Sequence, residues 1–279
     1  MGILARLQLG LRRHPFRFLA EAGLVFGALW TALDAIDNAF PHVTVDSPSK
    51  LGILLGVCIV TGLIRAIPSS SSSHRIGGSN SRFTVRFGDL FAEPGVRVIP
   101  VNEFFDSALG EHVSPNTLHG QFITRVFGGQ AHRFNADVDK LLPAGVAEPV
   151  GRESGRDRRF PLGTSVQVSY NAERYLLLAL ARTDITTRKA HASVQDMWSA
   201  LDGLWAAART HSNGDSIVLP LIGSGQSGVG LAPQLLLHLI AMSAIAETKR
   251  QRIAKEIVVV IQEQFFPDVD LRALDELMR

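Results

Sequence analysis

A single cysteine, Cys58, stands among 279 residues. Neither a disulfide framework nor a zinc site built on several cysteines is open to this chain, and a reducing compartment suits it. No internal repeat of about 20 to 50 residues is found, and the 25 Gly and 13 Pro show no collagen-like period, so solenoids, propellers and fibres drop out. Charge is sparse as well. With 19% charged and 46% hydrophobic residues the chain is not disordered, and it has the material for one large domain or one ordinary domain plus an appendage. A strong surplus of one sign is missing too, since 28 Lys and Arg against 26 Asp and Glu leave only +2. Divided after residue 75, the chain carries +3 before the cut and −1 after it. Nucleic-acid binding through a generally basic body therefore loses its main support, because such affinity comes chiefly from clustered cations on phosphates.

The positive excess lies beside two apolar stretches, residues 18–36 and 51–64. The second has fourteen uncharged residues between Lys50 and Arg65, about 21 Å of helix against a hydrocarbon core of about 30 Å. The first reaches the required length only by accepting Glu21 and Asp34 near its ends. A membrane hairpin and a soluble hairpin with a broad apolar face are both open on these grounds. A signal peptide fits poorly, since the positive region is long and a second apolar stretch follows at once. Arg12, Arg13 and Arg17 precede the first stretch, Arg65 and Arg75 follow the second, and Asp37 and Asp46 lie between. The positive-inside rule then places both chain ends in the cytoplasm. Ile3, Leu4, Leu7 and Leu11 form a short amphipathic face suited to the surface of the cytoplasmic leaflet.

The expected organisation is an amphipathic segment and two-helix hairpin over 1–67, a Ser/Gly linker over 68–81, and an α/β domain over 82–279. The linker contains five consecutive serines and Gly77-Gly78, with little to bury. From Arg82 onward, short β-rich runs alternate with helical ones. Phe83, Val85 and Phe87 alternate with polar residues, and further strands are expected at 96–101, 165–170, 175–181, 217–221 and 257–261. The last two are continuous apolar runs of the kind covered on both faces. Helices are expected from Val194 to Ala208, with Ser193 as N-cap, from Pro233 to Glu247, and from Leu271 to Met278. Trp198 and Trp205, seven apart, read as core. The polar stretch 143–163 reads as a surface excursion. Strands alternating with helices predict a layered α/β sandwich.

Three segments carry candidate chemistry. Residues 219–230 read Leu-Pro-Leu-Ile-Gly-Ser-Gly-Gln-Ser-Gly-Val-Gly, a loop between a buried strand and a helix. Glycines at 223, 225 and 228, with Ser224, Gln226 and Ser227 between them, allow successive backbone N–H groups to turn inward around a phosphate or pyrophosphate. The spacing is formally G-x-G-x-x-G. The Rossmann reading fails because only one further strand follows, and the acidic residue about 20 positions on, Glu247, lies at a helix end. Second, strands ending at Gly88-Asp89-Leu90 and at Asn102 would direct polar side chains into the crevice where open α/β sheets bind ligands. Asp89 is suited to accept a hydrogen bond from an exocyclic amine such as that of adenine. Third, residues 114–122 open a helix with a polar turn, Asn116 as N-cap. The free N–H groups around Thr117, Leu118, His119 and Gly120 offer a second place for phosphate, with His119 as a further ligand contact. Gln262 and Phe265, after the last strand, are placed to flank a nucleotide.

The order of these segments resembles that of the macro domain, an α/β/α module that binds ADP-ribose between two phosphate loops. The resemblance implies that Asp89 contacts adenine, that the loop from Gly223 to Gly228 wraps the pyrophosphate, and that Asn102 stands at the first asparagine of the family's Val-Asn-Ala-Ala-Asn. Asp106 falls near the second asparagine, whose family role lies at the distal ribose. Two departures are clear: the first phosphate loop is Ser114 to Gly120 and not a glycine triplet, and the second asparagine is replaced. Hydrolysis, which needs that region to position water, is put in doubt while binding survives. Val-Asn-Glu-Phe-Phe-Asp, Ser-Pro-Asn-Thr-Leu-His-Gly-Gln-Phe and Leu-Pro-Leu-Ile-Gly-Ser-Gly-Gln-Ser-Gly, behind a helical hairpin, further resemble the membrane-macro effectors of type II Thoeris antiphage systems. That resemblance implies a three-layer α/β/α macro domain preceded by a transmembrane hairpin in the inner membrane. It also implies capture of a histidine–ADP-ribose messenger made by a TIR-domain enzyme, homo-oligomer assembly and membrane damage. A membrane-anchored ADP-ribosyl hydrolase, and a soluble scaffold with an unused pocket, are the rivals.

No cofactor and no metal are implied. His112, His119 and His132 lack the i, i+4 spacing of a helical zinc pair. No catalytic residue is assigned, since no G-x-S-x-G elbow occurs.

Overall fold

A computed structural model of the chain describes residues 2–40, 47–225 and 228–278. It divides into two compact units, 1–70 and 71–279. In the first, α1 (Ile3–Arg13), α2 (Pro15–Ala39) and α3 (Ser47–Ala66) follow one another. Pro15 at the first position of α2, after His14 in a non-helical conformation, separates α1 from α2. The 25 residues of α2 and 20 of α3 span about 37 and 30 Å, so both are long and apolar enough to cross a bilayer. The second stretch gains its length because α3 starts at Ser47 and takes in Lys50, whose charge is met by Asp37. At the other end Glu21 stands 3.7 Å from Arg17 and 3.6 Å from Arg65. Close packing is secured by glycines: a Cβ at Gly62 would lie 2.7 Å from the Phe18 ring, and one at Gly10 of α1 would collide with the Ala66 carbonyl. Phe16, Leu19, Leu24, Ile53, Ile59 and Ile64 all point outward, each more than half exposed. The amphipathic face of α1 is split, with Ile3 and Leu4 exposed and Leu7 and Leu11 half-buried. Pro41 and Asp46 lie outside the described residues.

The second unit contains β1 (Ser71–Arg75), β2 (Arg82–Phe87), β3 (Val96–Asn102), α4 (Leu118–Phe127), α5 (Ala131–Val138), β4 (Glu148–Pro149), β5 (Arg158–Arg159), β6 (Ser165–Tyr170), β7 (Glu173–Thr183), β8 (Ala190–His191), α6 (Val194–His211), β9 (Ile217–Pro220), α7 (Pro233–Arg250), β10 (Glu256–Ile261) and α8 (Leu274–Leu277). The main sheet runs β1-β2-β10-β9-β3-β7-β6, with β8 paired to β7. The strands from β2 through β7 are parallel to their neighbours, and β1 and β6 close the two edges antiparallel. Alternation along each strand divides the core. Phe83, Val85, Val98, Leu176, Ile217, Leu219 and Val259 face α6 and α7, whereas Ile99, Val101, Leu177, Val218 and Val258 face Phe122, Ile123, Phe127 and Phe134 of α4 and α5. The architecture is the expected three-layer α/β/α sandwich. Ser193 caps α6 in a reciprocal box with Asp196, as its position foretold.

Several expectations are corrected. The segment read as a linker over 68–81 forms β1 within it, with five residues in register against β2. Ile76 and Ser81 are buried, and Ser81 Oγ donates to the Ala254 carbonyl at 2.7 Å. Serine runs lack apolar signal, but an edge strand needs only backbone pairing. Trp205 is fully buried and donates to Ser243 Oγ at 2.7 Å, but Trp198 is 40% exposed. The buried stripe of α6 runs through Met197, Leu201, Leu204 and Ala208, and Trp198 sits off its centre without the cover α7 gives Trp205. The final helix begins as a 3-10 turn, Leu271–Ala273, before α8. The excursion 143–163 carries the short β4-β5 ladder and is not wholly superficial: Phe160 is buried, and the Arg152 side chain is 3% exposed.

Candidate functional site

The C-terminal ends of β2, β10, β9, β3 and β7 open into one cleft of about 1230 Å³. The order of these strands makes the cleft linear. Residues after β2 and after β7 are four strand spacings apart, about 19 Å, with the β10, β9 and β3 loops between.

At the β2 end, Gly88 N–H donates to the Ile261 carbonyl at 2.9 Å and delivers Asp89 to the rim. Asp89 Oδ1 accepts the Phe91 N–H at 3.0 Å, capping a short 3-10 turn, and Oδ2 lies 3.1 Å from Arg125 Nη1. Leu90, Gln262 and Phe265 line the same end. In the middle, Gly223 adopts φ +88, and its carbonyl accepts the Val229 N–H at 3.1 Å across the loop. A Cβ there would come within 2.9 Å of Val229 and 3.0 Å of Leu236, so both the backbone conformation and the space require glycine. Among the described residues, no heavy atom lies within 4 Å of such a Cβ at Gly225, which lines the cleft with Gly223 and Ser224.

Opposite stands the N-terminus of α4. Thr117, not Asn116, is its N-cap, with Oγ1 accepting the Gly120 N–H at 3.1 Å. Asn116, Thr117, Leu118 and His119 line the cleft, and the first-turn N–H groups of a helix are natural partners for an anion. His119 is buried, its Nε2 has no hydrogen-bond partner among the described residues, and burial lowers its pKa to about 4 against the opposing pull of Asp106. It is a neutral imidazole at physiological pH.

Asn102 reaches the cleft because the pairing of β3 with β7 shifts register between Val101 and Asn102, and such bulges re-aim side chains. Its Oδ1 accepts the Phe104 and Asp106 N–H groups at 3.2 and 3.0 Å, and its Nδ2 donates to Asp106 Oδ2 at 2.9 Å. Phe105, between them, is held at φ +55 although it is not glycine. Asp106 itself is 1% exposed and does not line the cleft. Arg152 Nη1 and Nη2 reach its Oδ2 at 3.1 Å, and the Arg156 N–H donates to Oδ1 at 2.9 Å. The position expected to touch a distal ribose instead anchors Asn102.

Gly120 and Gly228 likewise stand outside the lining. A Cβ at Gly120 would lie 2.2 Å from the Ser114 carbonyl oxygen, and one at Gly228 would lie 2.8 Å from that of Gly225, so each permits a close backbone approach. Gln226 and Ser227 lie outside the described residues.

The β7 end was not foreseen. Arg188, Lys189 and Ala190 line it together with Glu111 and His112. Asp184 Oδ1 accepts the Thr186 and Thr187 N–H groups, both at 2.8 Å, and these bonds, Thr187's foremost, hold its carboxyl below the usual range. The turn places Arg188 at φ +59, 3.7 Å from Glu111 and 3.9 Å from Glu153. His112 Nε2 meets Ser154 Oγ at 3.2 Å, while its Nδ1 is buried with no partner among the described residues. These residues and Arg125 carry no motif; only the fold brings them together. Among the described residues, no group of three or more His, Cys, Asp or Glu side chains is arranged to hold a metal ion.

A parallel-cored three-layer sandwich with a glycine loop, a helix N-terminus and Gly-Asp on one crevice defines a macro domain. The family model described as Thoeris protein ThsA, Macro domain, matches residues 83–262, and the chain belongs to that family. No curated protein matches it. Among solved structures it is similar to the Oceanobacillus iheyensis macrodomain with ADP, at 13% identity over 74% of this chain and 96% of that one, TM-score 0.48. A point mutant of the same macrodomain with ADPR gives 11% identity over 74% and 98%, TM-score 0.49. A tomato leucine aminopeptidase mutant gives 14% over 70% and 34%, TM-score 0.38.

Proposed function

We propose that this chain is a membrane-tethered receptor in antiphage defence. Its cleft would take an ADP-ribose derivative of the histidine–ADP-ribose type made by a TIR-domain enzyme, and binding would drive assembly and membrane disruption by the hairpin. The observation that carries the reading is the linear order of chemistry along the cleft. An acceptor carboxylate, Asp89, stands at one end, backbone N–H groups of the Gly223 loop and the α4 N-terminus stand in the middle, and a corner of both charges stands at the other. Adenine, diphosphate and an amino-acid-bearing ribose follow in the same order along such a ligand. Asn102 would meet the distal ribose with its amide fixed by Asp106. The corner of Glu111, His112, Arg188 and Lys189 would meet an ammonium and a carboxylate. The mechanism is binding without bond-making, and a ligand drives assembly only through tighter binding to the assembled form. The hairpin places its charges at its ends and its apolar side chains outward, which suits a bilayer in a multi-pass inner-membrane arrangement with both chain ends in the cytoplasm.

Incubating the full chain in liposomes with histidine–ADP-ribose tests both halves. The expected result is dye release with the ligand recovered intact. Release of free ADP-ribose would make the protein a hydrolase, and silence at saturating ligand would remove membrane disruption from the reading.

A further inference from the structure

We infer that Arg125 and Asp89 form one base-selecting edge, admitting a 6-aminopurine and rejecting a 6-oxopurine. The inference rests on the ADP-ribose reading above and adds to it the residue that would decide the base. Arg125 and Asp89 both line the cleft, and their side chains are 49% and 54% exposed. A pair so exposed contributes little to folding. Its geometry is nonetheless fixed from several sides. Arg125 Nη1 lies 3.1 Å from Asp89 Oδ2, Nη2 lies 3.4 Å from Gln121 Oε1, and the guanidinium carbon sits 4.4 Å from the centre of the Phe91 ring. The Phe91 backbone N–H meanwhile holds Asp89 Oδ1 at 3.0 Å. One residue thus orients both partners, the carboxylate through its amide and the guanidinium through its ring face.

The product is a carboxylate acceptor beside a planar donor. A 6-aminopurine presents the complement, an exocyclic N–H beside a ring-nitrogen acceptor. A 6-oxopurine presents the reverse, setting its carbonyl oxygen against the carboxylate and its ring N–H against the guanidinium. A base tethered to a diphosphate at the Gly223 loop cannot reverse its edge to escape this mismatch. Paired hydrogen bonds to a base edge discriminate by about tenfold to a hundredfold.

The test is calorimetric titration of the full chain in detergent micelles with ADP-ribose and with its deaminated analogue, inosine diphosphate ribose. The wild type is expected to prefer ADP-ribose by about tenfold or more. Arg125→Met, which keeps apolar contact with Phe91 but has no donors, is expected to weaken ADP-ribose binding and bring the two ligands to similar affinity. Arg125→Lys, a milder change should the first variant fail to fold, is expected to retain only part of the preference. Equal wild-type affinities, or an undiminished preference in either variant, would overturn the inference and leave the receptor reading standing. Absence of binding to both nucleotides would also overturn the inference, and absence of binding to histidine–ADP-ribose as well would overturn the receptor reading with it.

Discussion

Two glycines of the same loop separate folding from binding at the level of single residues. Gly223→Ala forces a side chain into φ +88 against Val229 and Leu236, and is expected to destabilise the fold by roughly 1–3 kcal/mol, read as a lowered melting temperature. Gly225→Glu meets open space and is expected to leave melting unchanged while its carboxylate repels a diphosphate from the cleft. His119 adds to the acid sensitivity. Its folded pKa of about 4 lies below the ordinary 6.5, so between those values the unfolded chain binds the proton that the folded chain excludes. Its contribution is complete above pH 6.5, falls as pH drops from 6.5 towards 4, and changes no further below, a loss of up to about 3 kcal/mol. Urea melts from pH 7 to 4 should show a steeper fall for wild type than for His119→Asn; equal slopes would exclude His119 as the source. The loop was legible in the sequence because glycine spacing is a local signal. The purpose of each glycine was not, because Gly223, Gly225 and Gly228 differ only in what lies beside them.

The least legible element was the excursion 143–163. Its Arg, Gly and Pro content reads as solvated loop, yet Arg152 buries its guanidinium on Asp106 and stacks 4.0 Å from the centre of the Phe104 ring. A pairing across 46 positions leaves no periodicity to detect. Arg152→Met removes the cation and strands a buried carboxylate, a loss of about 3–5 kcal/mol. Because Asp106 also holds Asn102, weaker ligand binding should accompany the drop in melting temperature. Full affinity in a destabilised variant would show that Asn102 keeps its place without this anchor. The strands of the main sheet were legible, since apolar alternation and continuous apolar runs both report burial. β1 was not, because its serines offer only backbone to β2. Asp106 was misplaced for a similar reason: sequence order sets it beside Asn102 but does not reveal which side of the chain faces the cleft.

At the scale of the whole molecule, two units with different surfaces make up the chain. Residues 71–279 bury their apolar side chains between sheet and helices, whereas α2 and α3 carry theirs outward. The charge division at residue 75 and the two apolar stretches made this legible, although counting uncharged residues understated α3, whose Lys50 is matched by Asp37. Leu55 is 47% exposed on α3. Leu55→Arg should be harmless in a soluble hairpin, but costs about 2.5–3.5 kcal/mol near a bilayer centre. Flotation of wild type with membranes and loss of flotation in the variant is the expected outcome; unchanged distribution of both would favour a soluble hairpin. The central claim, that the cleft at the strand ends holds an ADP-ribose derivative, is tested most directly by titrating the full chain with histidine–ADP-ribose in a calorimeter. Saturable binding of one ligand per chain, lost in both Asp89→Ala and Gly225→Glu while their melting temperatures stay at the wild-type value, is the expected result. No binding, or binding that both variants retain in full, would contradict it.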